Sequence, residues 1–324
     1  MVTTYDIAKA AGVSPATVSR VVNNSPVVSA STRQRVLSAI AALGYQIPVR
    51  SSAQKQVLVV TDVSNADTSN ALYAALSELG YQMVIFYNYE QSAQGDLLNY
   101  LRQLPAGSIS GLILHNFVRP VAPTLLEVLN SYPIVQYGST HPFSCTVCLD
   151  LDRTQVSYDA AAALLQRGAK RLACFTGESG GPAQQQLNGF RSALLDAELL
   201  PEPQLLIESD YTVEGAYESI RSLLESGLFP DGIVCPVDTM ALGCIRALQD
   251  AGLSIPEDVQ VISTMGMWCA PYTRPSISCL DYPVETMAQE AARQLDLLLN
   301  GQKGVGQRIT LPYSFTFRES TRSL

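Results

Sequence analysis

The chain has 324 residues, 47% of them apolar and 15% charged, which fits about two or three globular domains and excludes a disordered or low-complexity protein. No apolar run reaches the roughly 18–20 residues of a membrane helix, and the first residues lack the basic start, apolar stretch and cleavage site of a secretory signal, so a cytoplasmic protein is expected. The net charge of −8 speaks against nucleic acid only until it is divided: residues 1–56 hold six basic side chains against one acid, a net +5, and the other 268 hold 15 basic and 28 acidic, a net −13. A small basic head on an acidic body fits a protein whose head alone meets phosphates.

In chain order, Thr3 with Asp6 three residues later has the pattern of a capping box, and Ile7, Ala8 and Ala11 form the apolar face of a first helix. Gly12-Val13-Ser14 breaks that helix. Ser14 suits the N-cap and Pro15 the first turn of a second helix that runs to about Val22, with Val18, Val21 and Val22 turned inward. Asn23-Asn24-Ser25-Pro26 reads as a loop. Ser29 or Ser31 starts a third helix, with Val36, Leu37, Ile40 and Leu43 on one face and Gly44 at its end. Three short helices with a tight turn between the first two have helix-turn-helix geometry. The second helix exposes Pro15, Ala16, Thr17, Ser19 and Arg20. Arg20 can pair with guanine, Thr17 and Ser19 can bond phosphate or base edges, and Ala16 can touch a thymine methyl. On pattern alone, a small helical bundle with one solvated arginine is the alternative.

The residues Tyr5-Asp6-Ile7-Ala8, Ala11-Gly12-Val13-Ser14, Thr17 to Asn23, Val28-Ser29, Thr32-Arg33 and Leu43-Gly44-Tyr45 resemble the head of the lactose-repressor family almost without a break over 45 residues. The resemblance implies that the second helix enters the major groove. The positions it matches to base readers are Pro15, Ala16 and Arg20. Those it matches to phosphate contacts are Thr4, Tyr5, Ser14, Thr17, Ser19, Asn23, Ser29, Thr32 and Tyr45. The head is expected over 1–46 and a linker over 47–56. That linker departs from the family pattern: it is short and has no leucine to wedge into the minor groove, so bending of the operator in the family manner is not expected. Arg50 in the linker, with Lys55, is expected to meet phosphate.

From Val57 onward, apolar runs alternate with amphipathic patterns. Strands are predicted at Val57–Thr61, Met83–Tyr87, Gly111–Leu114, Ile134–Tyr137, Arg171–Phe175, Gly232–Cys235 and Val259–Thr264. Helices are predicted near 69–79, 94–104, 121–130, 153–167, 184–198, 213–226 and 238–251. This alternation implies parallel sheets covered on both faces, and the series restarts near Asp152. Asp238-Thr239-Met240-Ala241-Leu242-Gly243 and Gly252 to Val259 resemble the same family's second lobe. The whole then reads as a small all-α helix-turn-helix head plus an α/β periplasmic-binding-protein-like core of two parallel-sheet lobes. The resemblance places those lobes at 57–149 with 281–311 and at 150–280 with 312–324. It also implies a homodimer, double-stranded operator DNA as partner, and a small-molecule effector, possibly a sugar, held between the lobes.

Strand ends nominate Asn65, Asp67, Tyr87, His115, Gln136, Gln186, Tyr211, Asp238 and Trp268 for the cleft, with Asp238 expected to cap its helix. Sugar-binding members of the family commonly carry an arginine where this chain has Gln186, an asparagine where it has Val237 and an aspartate near Thr264-Met265-Gly266. A regulator whose core has lost its ligand response is therefore the alternative. Trp268, the chain's one tryptophan, can stack on a ring. Seven scattered cysteines read as reduced core thiols; Cys145-x-x-Cys148 has metal-ligand spacing but no second pair, so no metal or other cofactor is expected. No Gly-x-Ser-x-Gly elbow, phosphate loop or zinc-binding helix motif marks an enzyme. A transport solute-binding protein would share the body but has no use for the head.

Overall fold

The computed structural model describes residues 3–22, 28–43, 55–61, 66–87, 94–115, 121–138, 147–177, 180–302 and 306–324. The chain separates into two compact units, 1–54 and 55–324.

The first unit contains α1 (Thr4–Ala11), α2 (Pro15–Val22) and α3 (Ala30–Ala42). Each start is set by a side chain three residues away. The Thr3 N–H donates to Asp6 Oδ2 at 2.8 Å and Asp6 N–H to Thr3 Oγ1 at 3.4 Å, closing the capping box. The Thr17 N–H donates to Ser14 Oγ at 3.2 Å, and the Thr32 N–H to Ser29 Oγ at 3.3 Å, so Ser29 rather than Ser31 begins α3. Gly12, at φ +62°, closes α1 with its N–H on the Ala8 and Lys9 carbonyls. Ile7, Ala8, Ala11, Val18, Val21, Val36, Ala39 and Ile40 make one core. Leu37 and Leu43, expected inward, are exposed. Residue 37 lies about 100° round the helix from Val36, and Ala39 completes the i, i+3, i+4 stripe instead.

The second unit is built on two six-stranded sheets. The first uses β1 (Gln56–Thr61), β2 (Gln82–Tyr87), β3 (Gly111–His115), β4 (Ile134–Tyr137), β5 (Val147–Asp150) and β11 (Arg308–Thr310) in the order β11-β5-β4-β3-β1-β2, all parallel. On one face α4 (Ala66–Glu78) and α11 (Val284–Leu299) cover it; on the other lie α5 (Gln94–Gln103) and α6 (Pro123–Leu129). The second sheet uses β6 (Leu172–Thr176), β7 (Leu206–Glu208), β8 (Gly232–Cys235), β9 (Gln260–Ser263), β10 (Ser278–Asp281) and β12 (Ser314–Thr316) in the order β12-β10-β9-β8-β6-β7. Only β12 runs antiparallel, against β10. Helices α9 (Val213–Glu225) and α10 (Asp238–Asp250) cover one face, and α7 (Arg153–Gln166) and α8 (Gly181–Asp196) the other. The near-continuous burial of strands such as β3, β6 and β8 follows from this double covering.

The chain passes between the lobes after β5, after β10 and after β11. Asp150 ties two of these crossings. Buried to 1% exposure, its carboxylate accepts from Leu151 N–H at 2.8 Å and from Arg153 at 3.4 Å, with the Arg308 guanidinium at 3.6 Å. The Leu311 N–H donates to the Asp150 carbonyl at 3.2 Å. No helix among the described residues is long and apolar enough to cross a membrane.

Candidate nucleic-acid interface and interlobe cleft

On the head, Thr4, Tyr5, Ser14, Ala16, Ser19, Arg20 and Ser29 are exposed, and Pro15, Thr17 and Thr32 are half-buried. The hydroxyls of Ser14 and Thr17 are 2.9 Å apart at the start of α2, and Ser29 Oγ donates to Thr32 Oγ1 at 2.9 Å at the start of α3. These hydroxyls are therefore held at two helix N-termini, whose first-turn amides suit anions such as phosphate. Arg20 stands in the last turn of α2 with its side chain in solvent. Asn23, Tyr45 and Arg50 lie outside the described residues.

In the second unit the described cleft candidates differ in how near they lie to the carboxyl ends of the sheets. His115 ends β3, is 2.9 Å from Thr61 Oγ1 through Nδ1 and tilts against Tyr137 at 4.7 Å between centroids. Burial holds its pKa down to about 4, so the imidazole is neutral near pH 7. Tyr87 ends the edge strand β2 and is exposed. Gln136 is fully buried one residue before the end of β4, inside the sheet rather than at the cleft. Gln186 is buried as well; its Nε2 donates to the Phe175 carbonyl at 2.9 Å and joins α8 to β6. The Tyr211 ring fills the space beside Gly177 at the end of β6.

Asp238 does not cap α10. Val237 holds the cap position, and Asp238 is the first helical residue. Its carboxylate accepts through Oδ2 from the Met267 N–H, in the loop after β9, while Oδ1 has no hydrogen-bond partner among the described residues. Burial raises its pKa to about 6, opposed by the Ser263 hydroxyl, the Met267 N–H and the Arg318 guanidinium.

Asp67 and Trp268 do come together. They line a cavity of about 240 Å³ with Asp281, Tyr282, Glu285 and Arg318. Asp67 and Glu285 belong to the first turns of α4 and α11, on the first lobe; Asp281 ends β10, and Trp268 and Arg318 belong to loops of the second. Asp281 ends β10 and Tyr282, Glu285 and Arg318 follow it; β10 is a four-residue strand without the alternation that marks a half-buried strand, and the available signal was the Asp281-Tyr282-Pro283 break itself. Asn65 and Cys145 lie outside the described residues, and Cys148 is a buried residue of β5. No group of three or more His, Cys, Asp or Glu among the described residues is arranged to hold a metal ion.

The two buried titrations have opposite signs. His115 binds its proton less well folded than unfolded, so its share of stability is lost as pH falls from about 6.5 towards 4. Asp238 binds its proton better folded, so it adds stability as pH falls from about 6 towards 4. Each amounts to at most about 3 kcal/mol. Thermal denaturation from pH 4 to 7.5 is expected to show a shallower acid loss for His115→Gln than for the parent, and a steeper one for Asp238→Asn. Equal slopes in all three proteins would refute both assignments.

Residues 3–47 match the family described as bacterial regulatory proteins, lacI family, and residues 161–321 match the periplasmic binding protein-like domain. The chain is 30% identical to catabolite control protein A of Priestia megaterium over 99% of each chain. It is also 30% identical to the HTH-type transcriptional regulator AscG of Escherichia coli (strain K12) over 93% of each. Among solved structures it resembles a transcriptional regulator CelR–cellobiose complex, at 28% identity and a TM-score of 0.73, over 99% of this chain and 100% of that one. The lac repressor dimer bound to operator and the anti-inducer ONPF matches at 24% identity and a TM-score of 0.78 over 99% of each chain, which speaks to the fold.

Proposed function

The chain belongs to the lacI family of bacterial regulatory proteins, and from that premise we propose that it is a cytoplasmic, homodimeric repressor that reads a near-palindromic operator and releases or tightens on it as a small molecule enters the interlobe cleft. The observation that carries this reading is the pairing in one chain of an exposed, capped α2 bearing Arg20 with two sheet-based lobes that both line one cavity. The head spans 1–46, a linker 47–56, and the lobes 57–149 with 281–311 and 150–280 with 312–324. Pro15, Ala16 and Arg20 face bases. Thr4, Tyr5, Ser14, Thr17, Ser19, Asn23, Ser29, Thr32, Tyr45 and Arg50 face the backbone, with the hydroxyls of Ser14 and Ser29 also setting the helix starts.

Asp67 and Trp268 are the cleft residues best supported, because they share the cavity. Gln136 and Gln186 are supported less, since one is inside the sheet and the other is bonded to Phe175. The coupling is a population shift between two lobe arrangements that space the two heads differently. Among the described residues lining the cavity no nucleophile is paired with a base, and the relatives are transcriptional regulators, which supports reading the core as a binding module.

Selection of the full chain against random duplex DNA tests this. Enrichment of two half-sites centred about 10 base pairs or a multiple apart is expected. Recovery of no motif would overturn the operator reading. The fluorescence of Trp268, the sole tryptophan, tests the cleft: a metabolite that shifts it and also changes operator affinity supports the effector reading. If no metabolite in a broad set of sugars, nucleosides, amines and acids does so, the core is a dimerising scaffold.

A further inference from the structure

We propose that Asp150 is a switch at the hinge: its carboxylate is shared between Arg308 of the first lobe and Arg153 of the second, and which guanidinium holds it sets the arrangement of the lobes. This rests on the reading that the regulator works by a shift between two such arrangements, and it names the group that balances them. Asp150 is the last residue of β5 in the first sheet, and Arg308 opens β11 beside it in the same sheet. Arg153 opens α7, which packs on the second sheet. Only Leu151 and Asp152 separate Asp150 from Arg153, so the first crossing of the chain runs between carboxylate and guanidinium. Rotation of one lobe on the other about residues 151 and 152 changes the Asp150–Arg153 contact, while the pairing of β11 with β5 keeps Arg308 beside Asp150.

Neither arginine has captured the carboxylate. Oδ1 lies 3.4 Å from Arg153 Nη2 and Oδ2 lies 3.6 Å from Arg308 Nη2, where a charge-assisted pair closes to about 2.7–2.9 Å. The pair of Arg171 with Glu202, inside the second lobe, shows the closed form, with contacts of 2.7 and 2.6 Å. Yet the Asp150 side chain is 2% exposed and that of Glu202 40%, so incomplete pairing costs more at Asp150. Asp150 Oδ2 and Arg153 Nε have no hydrogen-bond partner among the described residues. Burial pushes the Asp150 pKa up, and the two guanidiniums pull it the other way. The two oxygens face different guanidiniums on one rigid, short-stemmed group, so a movement that completes one pair withdraws it from the other, the property of a two-state element. The cavity reaches this group through Tyr282, which lines it and whose buried hydroxyl feels the Arg153 and Asp150 charges.

Acrylamide quenching of Trp268 in the full chain reads the lobe arrangement without operator or effector, because Trp268 stands on the second lobe and the cavity it lines is walled on the other side by Asp67 and Glu285 of the first. Arg153→Gln leaves the carboxylate to Arg308, and Arg308→Gln leaves it to Arg153. Each is expected to change the ratio of the two arrangements by about two- to fivefold, so that the quenching constants of the two variants lie on opposite sides of the parent's. In an Asp150→Asn background neither substitution is expected to move the constant further. Equal constants in parent and variants, a shift confined to one arginine variant, a shift of both in one direction, or opposite shifts that persist with Asp150→Asn would each overturn the proposal. Loss of the fold in either arginine variant, read by circular dichroism, would mark that arginine as structural and overturn it too; if Asp150→Asn alone fails to fold, the two arginine variants decide. The measurement uses neither DNA nor ligand, so its failure leaves the operator and effector readings to their own tests.

Discussion

Replacing Arg20 with alanine lowers operator affinity by roughly 1–3 kcal/mol, about 5- to 150-fold, and relaxes the preference at one base position. The argument begins with helix geometry. Val18 and Val21 hold one side of α2 in the head core, so residues 16, 19 and 20 fall on the other side and are exposed. Of these three, only Arg20 carries a planar fork of donors that matches the two acceptors of guanine. A phosphate contact made by Ser19 or Thr17 supplies affinity without sequence, so the two kinds of residue separate in one experiment. Binding of the selected operator and of single-base variants, measured over a range of salt, should show Arg20→Ala losing discrimination at one position. Thr17→Ala should weaken all sequences alike. A variant Arg20→Ala that keeps full affinity and full discrimination would show that α2 does not dock as proposed.

The second large effect is on stability. Gly189→Ala is expected to destabilise the second lobe by at least about 3 kcal/mol. At Gly189 of α8 a Cβ would lie 1.9 Å from the Thr154 carbonyl oxygen and 2.9 Å from the Tyr158 nitrogen, both backbone atoms of α7. No rotamer change relieves a clash with backbone, so the two helices must separate. That opens the packing of Ala160, Ala161, Leu164, Phe190 and Leu194, which form one cluster between these helices and the sheet. The control is the same substitution where nothing lies within 4 Å. Gly95→Ala, in the first turn of α5, is expected to leave stability unchanged or raise it by about 0.5–1 kcal/mol. Urea denaturation of the three proteins decides the matter, and similar midpoints for Gly189→Ala and the parent would mean that α7 and α8 are not packed this closely.

Much of the fold is written in short-range patterns. The caps at Thr3, Ser14 and Ser29 act over three residues, and all three begin helices as the residue types require. The long apolar strands and the helices between them carry enough repeats to be recognised in isolation. The elements that escaped are of two kinds. Strands β5, β7, β10, β11 and β12 have three or four residues each, too few to show a period; β4, β8 and β9 are as short, and what marks them is their place in the alternation with predicted helices. Helix α11 has 16 residues, but its inward positions include Ala288, Ala291 and Ala292, and small side chains dilute an apolar stripe that tertiary packing against α4 and the first sheet then fully uses.

The cleft behaves differently from the head. The residue types at Gln136, Gln186 and Asp238 suggested ligand contact, yet the fold buries one in a sheet, bonds another to Phe175 and joins the third to Met267. Asp67, Trp268, Asp281, Glu285 and Arg318 share a cavity only because the chain passes between its lobes three times. By itself, then, the sequence determined the capped three-helix head, its basic charge and the alternating layers of the body, because those follow from interactions between residues a few positions apart. The tertiary structure alone decided which polar side chains are satisfied internally and which face the cleft. That depends on contacts across more than 200 residues of chain, from Asp67 to Arg318, and no local pattern records them.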